Sequence, residues 1–389
     1  MTLRVLTLST LFPDASRPNF GIFVEQQTLG LAARAGVEVE VVAPVGLPPF
    51  PLSLGSRHKA LRGLPVREAW KGLTLHRPRF RSLPGRPAGA AAAIERALLS
   101  QLRELRLLFR FDVIDAQFFW PDGPAAMRLS AALGVPFSVK ARGSDIQYWG
   151  KVGGVAPQVL AAGRAAGGLL AVSAALKEVM AGLGMPAERI AVHYTGIDRD
   201  RFAPIDREAA KAALGIAGPL IVTVGALVPR KGQALAVEAA ARLPGATLLI
   251  VGAGPDRARL QALIDAKGLA DRVRLTGLLP HAEVPALLGA ADVMLLMSSS
   301  EGLANVWVEA MACGTPVVIG DIGGAREALR SHTAGRLAAF EPQAVADAVK
   351  DVLHEAPDPH AVRREVDGFS WERNAEALEA HLRRIVAGT

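Results

Sequence analysis

Two stretches of this sequence gather side chains that could do chemistry. Residues 298–316 read SSSEGLANVWVEAMACGTP, with Glu301 and Glu309 either side of a helix start. A helix N-terminus presents unpaired N–H groups and the positive end of the dipole, so the amides of Gly302, Leu303, Ala304 and Asn305 suit an anion. Glu309 falls in an otherwise apolar helix. A carboxylate there needs donors, and a ribose diol supplies two. Taken singly, each glutamate reads equally as a helix-end or solvent-facing acid. The second stretch, 224–232, reads VGALVPRKG and places Arg230 beside Lys231 between a strand and a helix. Arginine suits bidentate phosphate contact and lysine a point charge, so the pair could neutralise a departing diphosphate. Two solvated bases on a surface turn are the alternative.

The elements that would position these residues alternate twice along the chain. Strand patterns at 4–10, 37–44, 113–116, 136–141 and 168–173 are interleaved with helical periods such as 25–35 and 90–109. A loop follows at 195–206. A second series has strands at 220–224, 247–251, 273–276, 293–297 and 316–320. Its helices fall at 234–242, 257–267, 283–289, 304–313 and 344–353. Strands alternating with helices predict parallel βαβ units. Ligands of such sheets bind beyond the carboxyl ends of the strands. The predicted class is therefore α/β, with two Rossmann-like domains facing each other across a cleft. The domains are 1–198, 199–370, and a helix at 371–389, anchored by Trp371, packing back on the first.

Composition narrows the function. The 389 residues are half hydrophobic and one-fifth charged, which is globular. The one cysteine, Cys313, excludes an intrachain disulfide framework and reads as a core thiol. The N-terminus lacks a signal-peptide layout and no stretch is long and apolar enough to span a membrane. A cytoplasmic protein is expected, soluble or peripheral on the inner face of the membrane. Residues 57–110 carry thirteen basic side chains against three acidic ones, in a chain of net charge +7. Such a surface favours phosphates or anionic headgroups, or is simply a solvated face. Nucleic acid is not expected, for want of aromatics and of a recognition module. The helix at 90–109 mixes arginines and leucines, and could lie on a membrane or pack its leucines inward.

The string EGLANVWVE followed by AMACGTPVV resembles the E-x7-E motif of family 4 retaining glycosyltransferases, which have the GT-B architecture. GALVPRKG resembles their diphosphate loop, GAGP at Gly252–Pro255 their nucleotide-side turn, and GLLPH, with Leu278, the loop beside the base. AVSAALK, YTGIDRDRF and PNFGIF around Gly21 resemble further family segments. The likeness covers nearly the whole chain and is nearest to enzymes of teichuronic-acid, capsular or exopolysaccharide synthesis. It implies that Glu301 contacts donor-sugar hydroxyls and Glu309 the ribose. Gly302, Leu303, Ala304 and Asn305 would offer amides, Arg230 and Lys231 would hold the diphosphate, and Gly21 would let backbone approach the phosphates. It also implies retention of configuration without a metal or other cofactor. The donor would be a nucleotide sugar bound by 199–370, UDP-sugar preferred to GDP-sugar, and the acceptor, bound by 1–198, a glycan or lipid-linked glycan.

Two departures stand out. Ala226 follows the glycine where many relatives have arginine. Arg142 replaces the histidine of a His-Gly-Thr-Asp-like segment, here KARGSD. Arg142 is then a candidate for binding donor or acceptor phosphate, and Asp145 for orienting or deprotonating the acceptor. Asp198 and Asp200 match an Asp-x-Asp pattern but fall in the predicted linker, so no metal is expected. The readings left in competition are a nucleotide-sugar epimerase, a two-lobed binding protein and, more remotely, a dinucleotide dehydrogenase.

Overall fold

The computed structural model describes residues 2–388 and, within them, the side chains other than that of Arg57. The chain divides into two units. One comprises residues 1–196 and 371–389, the other 197–370.

Among the described residues, the first unit holds an eight-stranded sheet. Its order is Ile190–Val192, Gly168–Ala171, Phe137–Ala141, Val113–Ala116, Leu3–Leu8, Val37–Val42, Leu73–His76 and Arg67–Trp70. Every pairing is parallel except that of the last two strands. The central strands are almost wholly buried, as strands covered on both faces must be. The helix Ala90–Leu108 buries Ala91, Ile94, Leu98, Leu102 and Leu105 at helical spacing. Its last leucines, Leu107 and Leu108, are 79% and 88% exposed. The leucines are thus divided between core and surface.

The final helix, Trp371–Ala387, belongs to this unit. Leu378, Leu382 and Ile385 pack with Leu3, Val5, Leu31, Val113 and Leu170. Each such side chain contributes about 1.5–3 kcal/mol. A Cβ on Gly196 would lie 2.6 Å from the Trp371 ring, so glycine lets the indole seat there.

The second unit has a six-stranded parallel sheet among the described residues. Its order is Val273–Gly277, Thr247–Val251, Leu220–Val224, Val293–Leu296, Val317–Gly320 and Gly335–Ala338. Numbered within the unit, this is 3-2-1-4-5-6, the doubly wound order. The strand sequence reverses between Leu220–Val224 and Val293–Leu296, where such sheets bind ligands beyond the carboxyl ends.

Candidate functional site

The loops leaving those two strands are the two stretches singled out by their chemistry. Residues 225–232 leave Leu220–Val224 and end in the short turn Pro229–Lys231. Residues 297–304 leave Val293–Leu296 and lead into the helix Asn305–Ala312. They are laced together. The Ser299 N–H donates to the Arg230 carbonyl at 2.8 Å. Gly232 has φ of 71°, and a Cβ there would lie 2.0 Å from the Met297 carbonyl, so only glycine fits.

This close approach brings Arg230, Lys231 and Glu301 together. The Lys231 ammonium donates to Glu301 Oε1, and Arg230 Nη1 lies 3.9 Å from the same oxygen. Lys231 and Glu301 are mostly buried, while the Arg230 side chain is half exposed. Two cations and one carboxylate leave local positive charge at the switch point.

The helix Asn305–Ala312 begins at Ala304, whose side chain cannot cap it. Among the described residues, no protein acceptor takes the amides of Leu303, Ala304 and Asn305. The helix buries Trp307, Val308, Ala310, Met311 and Ala312, leaving Asn305, Val306 and Glu309 as its partly open stripe. Asn305 and Glu309 are one turn apart on that face. Glu309 accepts no side-chain hydrogen bond among the described residues. Burial pushes the pKa of its carboxyl up to about 7, opposed by the charge of Arg201. Arg201 is held by the carbonyl of His281. Nothing in the sequence pairs Arg201 with Glu309, which lie far apart along the chain.

Gly252 is at φ of 146°, and a Cβ there would meet the Gly225 carbonyl at 1.9 Å. The turn at 252–255 therefore backs the loop at 225–232. The Leu227 N–H donates to the Ala253 carbonyl and the Asp256 N–H to the Leu227 carbonyl. Leu278 is exposed beyond the end of Val273–Gly277. Asp198 is used locally: its Oδ1 accepts the amides of Asp200 and Arg201. Cys313 is buried, and burial raises its pKa to about 12.

In the first unit, Gly21 caps Ile22–Ala32 at φ of 72° against the Leu11 carbonyl. Arg142 donates from Nε to the Gln117 carbonyl at 2.8 Å and from Nη2 to Gln117 Oε1 at 2.7 Å. It also stacks over Phe23, 4.7 Å from the ring centre. Burial lowers its pKa to about 10, so it stays charged at neutral pH. Asp145 is fully buried and accepts the N–H groups of Phe119, Arg142 and Gly143 at 2.8–3.2 Å. Burial raises its pKa, against the opposing effect of those amides. It fastens two loops.

Behind it lies a buried polar network that no sequence motif announces. Lys140 Nζ donates to Gln27 Oε1 at 2.8 Å and meets His193 Nδ1 at 2.9 Å. His193 Nε2 faces the Asn374 carbonyl at 2.8 Å, which assigns the proton to Nε2. Burial drives the pKa of both Lys140 and His193 well down.

Comparison with known proteins bears on the family and the fold. Residues 22–201 match the family model described as Glycosyltransferase Family 4, and residues 206–385 the one described as Glycosyl transferases group 1. D-inositol 3-phosphate glycosyltransferases of Mycobacterium bovis and Mycobacterium tuberculosis are 35% identical over 225 residues, 54% of this chain and 47% of theirs. The chain thus spans about half the length of these relatives. Among solved structures, sucrose-phosphate synthase from Thermosynechococcus elongatus has a TM-score of 0.81 at 20% identity, covering all of both chains. Anabaena Alr3699/HepE in complex with UDP has a TM-score of 0.77 at 20% identity, covering 98% of this chain and all of that one. These likenesses establish the fold. The two family matches run from residue 22 to residue 385 with only a short joint between them, and the chain belongs by both of its units to the GT-B glycosyltransferases of family 4 and group 1.

Proposed function

We propose that this chain is a retaining, metal-independent hexosyltransferase. It moves a sugar from a nucleoside-diphosphate donor, preferably a UDP-sugar, to a glycan or phosphorylated acceptor of envelope or polysaccharide synthesis. The observation that carries the reading is Glu309, a carboxylate without a protein donor on the open stripe of an uncapped helix, beside a loop bearing Arg230 and Lys231. The Glu309 carboxylate accepts the ribose hydroxyls. Arg230, Lys231 and the amides of 303–305 take the diphosphate. Glu301, with Lys231 beside it, receives the donor-sugar hydroxyls.

The acceptor hydroxyl oxygen attacks the anomeric carbon as the bond to the β-phosphate oxygen breaks. The hydroxyl proton passes to that leaving oxygen on the same face. Catalysis then comes from positioning and from cations facing the charge that develops. In this role the cations replace a divalent metal. Asp145 positions the Arg142 loop rather than serving as base, because its oxygens are spent on amides.

HepE was also solved with UDP-glucose, which supports a UDP-sugar donor. The inositol-phosphate relatives favour an acceptor bearing phosphate. An epimerase finds no support among these relatives. Among the described residues no helix is long and apolar enough to cross a membrane. The exposed Leu107 and Leu108, near Arg103 and Arg110, offer a patch for peripheral attachment to an anionic membrane. A thermal-shift panel of UDP-, GDP- and ADP-sugars tests the donor. A ligand at a hundred times its Kd adds about 2.7 kcal/mol of stability. The UDP-sugar should raise Tm most; no shift with any nucleotide sugar would refute the reading.

A further inference from the structure

Lys140 has no exposed surface and lies within the buried strand Phe137–Ala141. Its ammonium bonds only to neutral groups, Gln27 and His193, and no carboxylate is ion-paired with it among the described residues. An apolar side chain of similar length would fill the space without desolvating an amine. The chemistry proposed above uses neither Lys140 nor His193.

Its partners form one run of hydrogen bonds with a fixed direction. The Asn374 carbonyl can only accept, so His193 donates to it from Nε2 and accepts at Nδ1. Lys140 therefore donates to His193 Nδ1 at 2.9 Å, and donates again to Gln27 Oε1 at 2.8 Å. Even a neutral amine has the two hydrogens this takes. Gln27 turns its Nε2 to Gln117 Oε1 at 2.7 Å, and Gln117 turns its own Nε2 to Asp115 Oδ2. Burial raises the Asp115 pKa to about 6, so at pH 8 this end is an ionised carboxylate that only accepts. The run has an acceptor at each end and Lys140 as the donor between them, so neither amide can flip.

That direction turns both amide oxygens toward Arg142. Its Nη2 donates to Gln117 Oε1 at 2.7 Å and to Gln27 Oε1 at 3.4 Å, and its Nε to the Gln117 carbonyl at 2.8 Å. Phe23 covers its face. All three acceptors are uncharged, so the guanidinium is held without being neutralised by an ion pair. Nη1 takes no protein acceptor among the described residues, and Arg142 is partly exposed. A fixed guanidinium with spare donors suits a phosphate oxygen.

We infer that Lys140 is a positioning residue of the transferase proposed above, on which reading this inference rests: it fixes the Gln27 and Gln117 amides, and they hold Arg142 as an unpaired cation for a substrate phosphate. Lys140 touches no substrate and acts through Arg142. Without it the Gln27 oxygen loses its nearest donor, the amide is free to turn, and the grip on the guanidinium loosens.

The test is a double-mutant cycle on the full chain at pH 8, read as kcat/KM for UDP-glucose hydrolysis, with water in place of the acceptor hydroxyl. Arg142→Gln and Lys140→Met should each lower kcat/KM about tenfold or more. The double variant should match Arg142→Gln within about twofold, because the lysine works only through the arginine. A lysine that merely supports the fold would lower kcat/KM by the same factor in both backgrounds, and that result would overturn the inference. Should Lys140→Met fail to fold, Gln27→Glu keeps the shape and gives Arg142 a carboxylate to pair with; it should also lower kcat/KM about tenfold, and unchanged turnover would overturn the inference. A second readout needs no turnover. In nitrogen-15 NMR the Arg142 Nε–H, identified by its loss in Arg142→Gln, should exchange with water about tenfold faster in Lys140→Met and change its resonance position in Gln27→Glu. An unaltered signal would overturn the positioning role whatever the turnover. A wild-type chain that neither hydrolyses UDP-glucose nor binds UDP would instead count against the transferase reading, with the NMR result still deciding the role of Lys140.

Discussion

Replacing Glu309 by glutamine should make the chain more stable and less able to hold its donor. In the folded chain the carboxyl has its pKa raised from 4.5 to about 7 by burial. A raised carboxyl pKa means the ionised form is disfavoured in the native state. The favourable native interaction of the protonated acid is fully present below about pH 4.5 and lost as pH rises through about 7. The difference of about 2.5 units corresponds to roughly 3 kcal/mol at most, all of it acting above pH 8. Glu309→Gln keeps the shape and removes the charge. Urea unfolding should therefore show the variant close to wild type at pH 4.5 and about 2–3 kcal/mol more stable at pH 8.5. The same change removes a charged acceptor from the ribose, worth about 1.5–3 kcal/mol, so UDP affinity at pH 8.5 should fall roughly 10- to 150-fold. Stability gained where binding is lost is the mark of a strained functional group. Equal stability of the two proteins at pH 8.5, or an unchanged UDP affinity, would refute the reasoning.

Lys231→Met should lower kcat/KM for the nucleotide sugar about 10- to 150-fold, the value of one charge-assisted hydrogen bond, with the fold intact by circular dichroism. Asp145→Asn leaves one oxygen for three amides, so unfolding should show a loss of about 1–3 kcal/mol. If Asp145 positions rather than deprotonates, the acidic limb of the pH–rate profile persists in the variant; its disappearance would restore the base role. Replacing Arg103 and Arg110 by glutamine should weaken co-sedimentation with phosphatidylserine vesicles by about 1 kcal/mol per charge, and unchanged binding would exclude this patch.

Much of the second unit is legible in the sequence because its strands are buried on both faces. Runs such as LIVTV at Leu220–Val224 and VMLL at Val293–Leu296 are continuous apolar blocks. The helix expected at 304–313 differs by one residue at each end from Asn305–Ala312. The strand expected at 37–44 ends at Val42. What escaped was short or solvent-facing. Val45–Leu47, Arg67–Trp70, Leu73–His76, Arg79–Arg81, Ile190–Val192 and Gly335–Ala338 have three or four residues each, too few for a period to show. The basic window read as one surface conceals three of these strands, Arg67–Trp70, Leu73–His76 and Arg79–Arg81. Within it Arg77 is fully buried, paired with Glu68 and bonded to the Pro13 carbonyl.

The candidate site divides in the same way. Arg230, Lys231 and Glu301 could be read together because two loop motifs leave neighbouring strands. Arg201 and the Gln27–Gln117–Lys140–His193 network could not. Their partners lie far apart in the chain, and glutamine carries no spacing signal of its own. Asp145 was visible as an acid near the Arg142 loop, but only the geometry shows that backbone amides occupy it.

The most direct test of the central claim is a crystal structure of this chain with UDP. The diphosphate should lie against Arg230, Lys231 and the amides of residues 303–305, with the ribose hydroxyls on Glu309. Density for UDP elsewhere, or bound with Glu309 and Lys231 both facing solvent, would contradict it.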